Sequence, residues 1–432
     1  MTILRRHPRI AIALGMLLAV VLWAVLVVAG TVGGWWHQRL APAGDDATFL
    51  SAAKQMIESR NRGNVAFALI EHAVPSDEYF VSVGDVVGPQ TLFQVASLSK
   101  WITAWAVMTL VESGKVELDA PVSRYLTRWQ LPPSEFDNDG VTVRRLLSHT
   151  AGLTDGLGFA GFPPGVELPS LEENLNHPDA SPGHTGEIRV GTQPGSRWQY
   201  SGGGYLILQL LIEEVTGEPF EAYLQRALFR PLGMGRSTFT VDALTPDVAT
   251  FYDRNGAQAI HYRFRAKAAA SLYTNVADMV RFVQAHYIGP AGEPIGRGVL
   301  KPETVREMRE PHAALYGADI WGLGVMLFAP LDGGDFIAGH DGNNDPAINT
   351  SVRLNPQTGD AIVVLETGDS TLASTLASEW VFWQTGYVDF LMLAIRASAM
   401  VKTIATGAVA IVLIGLVAGW RLGRRATASA AT

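Results

Sequence analysis

Two uncharged apolar runs, one near each end of the chain, limit what it can fold into more than any other feature. Ile10 to Trp36 is 27 residues without a charged side chain, and Thr403 to Trp420 is 18. About 20 helical apolar residues cross the hydrocarbon core of a bilayer, so both runs are expected to be membrane helices. The small residues "APAG" at 41 to 44 would suit a cleaved leader, but a leader's apolar stretch is only about 7–15 residues. Arg5, Arg6 and Arg9 precede the first run, and Arg421, Arg424 and Arg425 follow the second. Basic residues stay on the cytoplasmic side, so both tails, 1–9 and 421–432, are expected in the cytoplasm of a bacterium. Residues 37–402 then face the periplasm or the cell exterior.

That outward segment carries 27 basic against 41 acidic residues, a net charge of −14, which argues against a nucleic-acid partner. The expected partners are the lipid bilayer and a small-molecule or peptide substrate. The motifs "GTVGG" (30–34) and "GLVAG" (415–419) place small residues four apart, a spacing that favours association between membrane helices. A third apolar stretch, 380–395, contains Gln384 and Asp389 and reads as a packed or interfacial helix rather than a span. With no cysteine, disulfides and thiol catalysis are excluded.

Between the runs, a short linker (37–46) leads to a helix over 47–59 with apolar residues at helical spacing. "NVAFALIEH" and "DEYFVSVGD" read as two strands joined by a turn. A long apolar helix follows from Ser97, then a loop-rich region from 151 to 204 and a second apolar helix beginning at Tyr205. "WGLGVMLFAP", "DFIAGHDG", "AINTSVRLNP" and "DAIVVLETGD" read as four successive strands, and an apolar helix starts after Ser370. The pattern predicts an α+β fold: one antiparallel sheet built from both ends of the chain, flanked by helices, with a helical lobe inserted. The domain is expected over 47–385, with a juxtamembrane segment at 386–402.

The chain has only six lysines, and Lys100 lies in "FQVASLSKW" ahead of the nearly uncharged "ITAWAVMTLVESG". A helix apolar on every face is buried, and burial disfavours an ammonium. Positions i and i+3 share a helix face, so Lys100 stands one turn from the hydroxyl of Ser97. A desolvated amine there can accept the serine proton, and the N–H groups of a helix starting at Ser97 can stabilise an oxyanion. An N-capping serine with a snorkelling lysine fits the same spacing. A second Ser-x-x-Lys, Ser51 with Lys54, lies on an amphipathic helix where a solvated lysine is ordinary. Two further stretches favour chemistry at Ser97. "WQYSGGGY" puts Tyr200 ahead of three glycines at the start of a helix, and "GHDGN" puts His340 at the end of an apolar strand.

Ser-x-x-Lys, Tyr-x-Gly and His-x-Gly in this order resemble the serine β-lactamase and penicillin-binding-protein superfamily, in particular the class C β-lactamase-like serine hydrolases. "LLSHTAGL" (146–153), "QPGSRWQYSGGGY" (193–205), "LFRPLGMGRSTF" (228–239) and "SLYTNVADMVRFV" (271–283) extend the resemblance over most of 47–385. It implies that Ser97 is the acylated nucleophile, that Lys100 is its proton acceptor or relay, and that Tyr200 shuttles a proton to the leaving group. His340 would stand where many members carry a lysine, and Gly342 two residues on. The backbone N–H groups of Ser97 and Asn343 would form the oxyanion hole. Gly202 stands where the family has a substrate-contacting asparagine, so that contact is expected to be missing. His340 is expected to carry charge only part of the time near neutral pH. Both departures put recognition of a substrate carboxylate, and so a β-lactamase or D-Ala-D-Ala carboxypeptidase assignment, in question.

"GLGFAG" (156–161) follows no strand and so fails as a nucleotide loop, and "DNDG" (137–140) lacks the closing glutamate of a calcium loop. His149 reads as a residue that buttresses a turn. The sequence therefore predicts a membrane-anchored serine hydrolase of amides or esters that needs no metal and no cofactor. A non-catalytic sensor of cell-wall fragments is the reading from another class.

Overall fold

The computed structural model describes residues 8–156, 158–180, 186–242, 244–345 and 347–429; the outermost residues of both arginine-bearing tails lie outside these. The principal helices are α1 (Pro8–Val32), α2 (Asp46–Arg60), α3 (Ser99–Glu112), α4 (Gly202–Thr216), α5 (Val276–Gln284), α6 (Leu372–Thr385) and α7 (Phe390–Ser429). Ten strands are present among the described residues: β1 (Val65–Glu71), β2 (Val74–Val81), β3 (Phe93–Gln94), β4 (Tyr273–Thr274), β5 (Ala313–Leu315), β6 (Ala318–Trp321), β7 (Met326–Pro330), β8 (Phe336–Asn344), β9 (Ile348–Asn355) and β10 (Asp360–Thr367). Eight of them form one antiparallel sheet in the order β2-β1-β10-β9-β8-β7-β6-β5, and β3 pairs with β4 alone. The α+β fold expected from the pattern is therefore present, the two ends of the chain meeting where Val65 on β1 pairs with Glu366 on β10. β5 and β6 are additions to the expected four C-terminal strands; at three and four residues they are too short to show alternation.

Both faces of the sheet are covered, so its central strands are apolar throughout rather than alternating. In β1 the side chains of Ala66, Ala68 and Ile70 join the core beneath the inserted lobe, which also takes Trp101 and Trp105 from α3. Val65, Phe67 and Leu69, which point the other way, pack with Phe49, Ala53 and Ile57 of α2 and with Leu376, Trp380 and Trp383 of α6. β2 closes one edge of the sheet with its exposed residues Pro75, Asp77 and Glu78, which discourage further strand pairing.

Two helices are long and apolar enough to cross a membrane, Ile10–Val32 and Phe390–Arg421. The first apolar run extends to Trp36, but its helix ends at Val32 because Gly33 and Gly34 follow and Gly34 adopts a φ of +64°. α1 and α7 pack antiparallel: Ile12 lies beside Gly419, Met16 beside Gly415, and the Trp23 indole over Gly407, donating to the Thr403 carbonyl at 3.3 Å. Gly30 and Gly34 instead accommodate Trp36 and Phe382. The 380–395 stretch is two helices, because Gly386 ends α6 in the left-handed conformation and α7 begins at Phe390. From there α7 continues unbroken through 386–402's helical part into the second apolar run.

Residues 37–46 are packed against the domain. His37 bonds Glu379 at 2.8 Å, Arg396 of α7 bonds both His37 and Glu379, and Trp383 donates to the Pro42 carbonyl at 2.7 Å. These contacts fasten both long apolar helices to α6.

Candidate active site

The site is built where three chain segments meet. β3 brings the chain to Ala96, whose φ of +45° turns it sharply into a 3-10 turn, Ala96–Leu98, before α3 begins at Ser99. Ser97 thus sits in that turn and does not open the α-helix as the sequence suggested. The turn is fixed by Ser99, whose hydroxyl donates to the Ala96 carbonyl at 2.6 Å and accepts from the Leu272 N–H at 3.0 Å. A left-handed alanine costs on the order of 1–2 kcal/mol, and such strain persists only where the surroundings impose it.

Lys100 is 1 % exposed, and its Nζ lies 3.1 Å from the Ser97 Oγ and 2.8 Å from the Ala269 carbonyl. A carbonyl only accepts, so the amine must donate to Ala269. In its neutral form the amine can do this and still turn a lone pair toward the serine. Burial lowers the Lys100 pKa to about 7, with the charge of Asp155 opposing the shift. The Tyr200 phenol is near enough to the Ser97 hydroxyl for the serine to oppose part of the rise in its pKa, and the Lys100 amine lies 4.9 Å from the Tyr200 ring centre. Burial raises the phenol's pKa, so it is protonated at rest. Ser97 therefore has a basic proton carrier in contact, Lys100, with an acidic one, Tyr200, close by.

Supporting residues surround this pair; of them His149 was read from the sequence as a turn buttress, whereas Asp155 and Trp321 were not legible there. The buried Asp155 accepts from the Ser201 hydroxyl at 2.5 Å and the Gly203 N–H at 2.8 Å, holding the first turn of α4 directly behind Tyr200. His149, with φ +57°, accepts the Ser201 N–H on Nδ1 at 3.1 Å and stacks on the Tyr200 ring at 4.3 Å. Trp321 on β6 meets the edges of His149, Tyr200 and His340. Asp155 and His149 lie only six residues apart in a loop-rich stretch, and nothing in its pattern identifies Asp155 as a ligand of α4.

His340, on β8, is 1 % exposed, and its Nδ1 donates to the Asp341 carbonyl at 2.7 Å. Its bare Nε2 is buried without a partner among the described residues. Burial and then repulsion from Lys100 push its pKa down to about 3. His340 is thus neutral across the physiological range, where the sequence suggested a part-time charge, because the site that desolvates Lys100 desolvates it as well. Two residues on, Gly342 lies against the chain leading to Ser97: a Cβ there would stand 2.0 Å from the Val95 carbonyl oxygen. Asn343 stays at the exposed end of β8, its side-chain amide donating to the Ser370 carbonyl. Ser51 and Lys54 lie apart from all of this on α2, with Lys54 over the Tyr79 ring.

Gly202 is the first residue of α4, and a Cβ there would meet the Phe159 ring at 2.7 Å. The space an asparagine side chain would need is filled by that ring. Gly202→Asn is expected to cost about 1–3 kcal/mol by overpacking. In the Phe159→Ala background the same change is expected to cost markedly less. Thermal melts of the two single variants and the double variant measure this coupling; strictly additive losses would show that Phe159 does not fill the site.

The beta-lactamase family model matches residues 49–380. This chain belongs to the beta-lactamase family. Among relatives, the esterase EstB of Burkholderia gladioli is 32% identical over 279 residues, which cover 56% of this chain and 67% of the esterase. The putative penicillin-binding protein PbpX of Bacillus subtilis is 29% identical over 46% of each chain. The D-alanyl-D-alanine-carboxypeptidase/endopeptidase AmpH of Escherichia coli is 24% identical, with 58% of this chain and 65% of AmpH aligned. The chain thus spans about two thirds of the esterase and AmpH, and under half of PbpX. Among solved structures, the octameric penicillin-binding protein homologue from Pyrococcus abyssi shares the fold with a TM-score of 0.65 at 24% identity, over 79% of this chain and 78% of that one. The beta-lactamase fold here carries serine hydrolase relatives of several kinds, esterase and peptidase among them.

Proposed function

We propose that this chain is a membrane-anchored, extracytoplasmic serine hydrolase that cleaves esters or amides through an acyl-enzyme on Ser97. The observation that carries the reading is the buried Lys100 amine, 3.1 Å from the Ser97 Oγ and already donating to the Ala269 carbonyl. In the step proposed, the Ser97 Oγ attacks the substrate carbonyl and its proton passes to Lys100 or Tyr200. The Ser97 and Asn343 N–H groups face the developing oxyanion. The proton then passes to the leaving group as the carbonyl–leaving-group bond breaks, and water attacks the acyl-enzyme to release the acid and restore the serine. Gly202 and Gly342 offer the substrate no side chain, since Phe159 and Val95 occupy the space where one would stand. The neutral His340 cannot supply a cation for a carboxylate, which favours an ester, as for EstB, over a penicillin or a D-alanyl peptide. The arginines that flank the two uncharged apolar runs support cytoplasmic tails with the domain outside.

A fluorophosphonate probe is expected to add once to the wild-type chain and not at all to Ser97→Ala, read by intact mass. The labelling rate is expected to rise as pH increases through about 7 and then level off, because Lys100 accepts a proton only in its neutral form. No adduct on the wild-type chain, or an equal adduct on Ser97→Ala, would favour a non-catalytic sensor.

A further inference from the structure

A cavity of ≈ 540 Å³ opens beside Asn343, lined by Arg60, Arg62, Arg254, Asp369, Ser370 and Thr371. Three arginines converge here although the surrounding segment, 37–402, carries a net charge of −14. Only one acid lines the cavity with them. Arg60 reaches Asp369 at 3.4 Å and the Thr371 hydroxyl at 2.9 Å. The Asp369 carboxylate is already committed, accepting the N–H groups of Thr371 and Leu372 at the start of α6. Arg62 bonds only the nearby carbonyls of Ser59 and Asn61, and Arg254 has no acidic partner among the described residues. The 253–257 turn that carries Arg254 is closed by the Asp253 carboxylate, and its Gly256 lies against the backbone of Arg62. Two exposed arginines, Arg62 and Arg254, therefore line one cavity, and neither is paired with a carboxylate among the described residues.

The cavity lies at the end of β8, the strand that carries His340 and Gly342. Asn343 forms part of its wall and follows Gly342, which is pressed against Val95, two residues before Ser97. A substrate whose carbonyl reached Ser97 would have one arm directed along the end of β8 toward the arginines. His340, which stands nearer, is neutral and cannot pair with an anion.

We propose that this cavity is an anion subsite: Arg62 and Arg254 receive a carboxylate or phosphate on the substrate, so that the protein prefers anionic esters or amides over neutral ones. Guanidinium forks bind both groups through paired N–H donors. The proposal rests on the serine-hydrolase reading for its placement beside the scissile bond.

The test compares matched esters on the full-length chain in detergent. 4-Nitrophenyl monosuccinate, 4-acetoxybenzoate and 4-acetoxyphenyl phosphate carry the charge as an acyl-side carboxylate, a leaving-group carboxylate and a leaving-group phosphate. Their methylated counterparts are neutral. At least one anionic ester is expected to exceed its neutral counterpart in kcat/KM by about tenfold, the weight of a charged hydrogen bond. The advantage is expected in KM, and it should shrink as NaCl is raised. Arg62→Ala combined with Arg254→Ala should abolish it and leave the neutral ester within about twofold, which also reports that the variant is folded. The pair that responds identifies the side of the scissile bond and the anion. Binding of the same esters to Ser97→Ala, followed by calorimetry, reads the subsite without turnover, so loss of the hydrolase reading and loss of the subsite are distinguishable. No anionic preference in any pair by either readout, or an equal fall for charged and neutral esters in the arginine variant, overturns the proposal.

Discussion

Lys100→Met is expected to lose at least about a thousandfold in turnover and yet to melt at a higher temperature than the wild-type chain at pH 6. The two effects share one cause. The Lys100 pKa falls from 10.5 to about 7 because burial strips water from the ammonium, so holding the charge in the site costs up to about 5 kcal/mol. Between about pH 7 and 10.5 the unfolded chain binds this proton and the native chain does not, so stability from this group rises with pH across that window. Below about pH 7 both states bind it and the full penalty is present. Methionine removes the penalty but leaves the Ala269 carbonyl without its donor, which costs about 1–3 kcal/mol in return. The variant's advantage should therefore be largest near pH 6 and vanish or reverse by pH 10. Melts across that range, alongside ester turnover, check it. A difference that stays constant with pH would mean that the lysine is not desolvated in solution.

Gly342→Ala is expected to inactivate the protein about a hundredfold without touching any reacting group, the usual consequence of moving a nucleophile by about 1 Å. The added methyl would lie 2.0 Å from the Val95 carbonyl oxygen and 2.5 Å from the Thr350 hydroxyl that donates to that carbonyl. Backbone cannot step aside as a side-chain tip can, so β8 and the turn bearing Ser97 must separate. A loss of about 3 kcal/mol in stability should accompany the fall in kcat. Gly235→Ala provides the control, since a Cβ there meets nothing within 4 Å. Equal behaviour of the two variants would show that the contact between β8 and Val95 does not set the position of Ser97.

The part of the site that could be read from the sequence is the part carried by short spacings. Ser97 and Lys100 are three apart on a segment with apolar side chains all round, which already implies a buried amine near a hydroxyl. Tyr200 and His340 stood out because glycines follow each of them closely. The strands that run eight or nine residues, β2, β8, β9 and β10, were long enough to be recognised, whereas the three-residue β5 was not. Asp155 and Trp321 escaped because each acts on residues 45 or more positions away, Asp155 on Ser201 and Trp321 on His149 and Tyr200.

What the chain's order of residues determined by itself was local: two helices apolar enough to cross a membrane, strands at each end that must pair, and an amine one turn from a hydroxyl. Tertiary structure decided everything that depends on water being absent or on distant segments meeting. The neutral state of His340, the bare Nδ1 of His149 turned to Ser201, the Phe159 ring over Gly202 and the three arginines around one cavity all arise that way. Spacing along a helix or strand is fixed by backbone geometry, whereas desolvation and charge pairing are set by whichever groups the fold brings alongside.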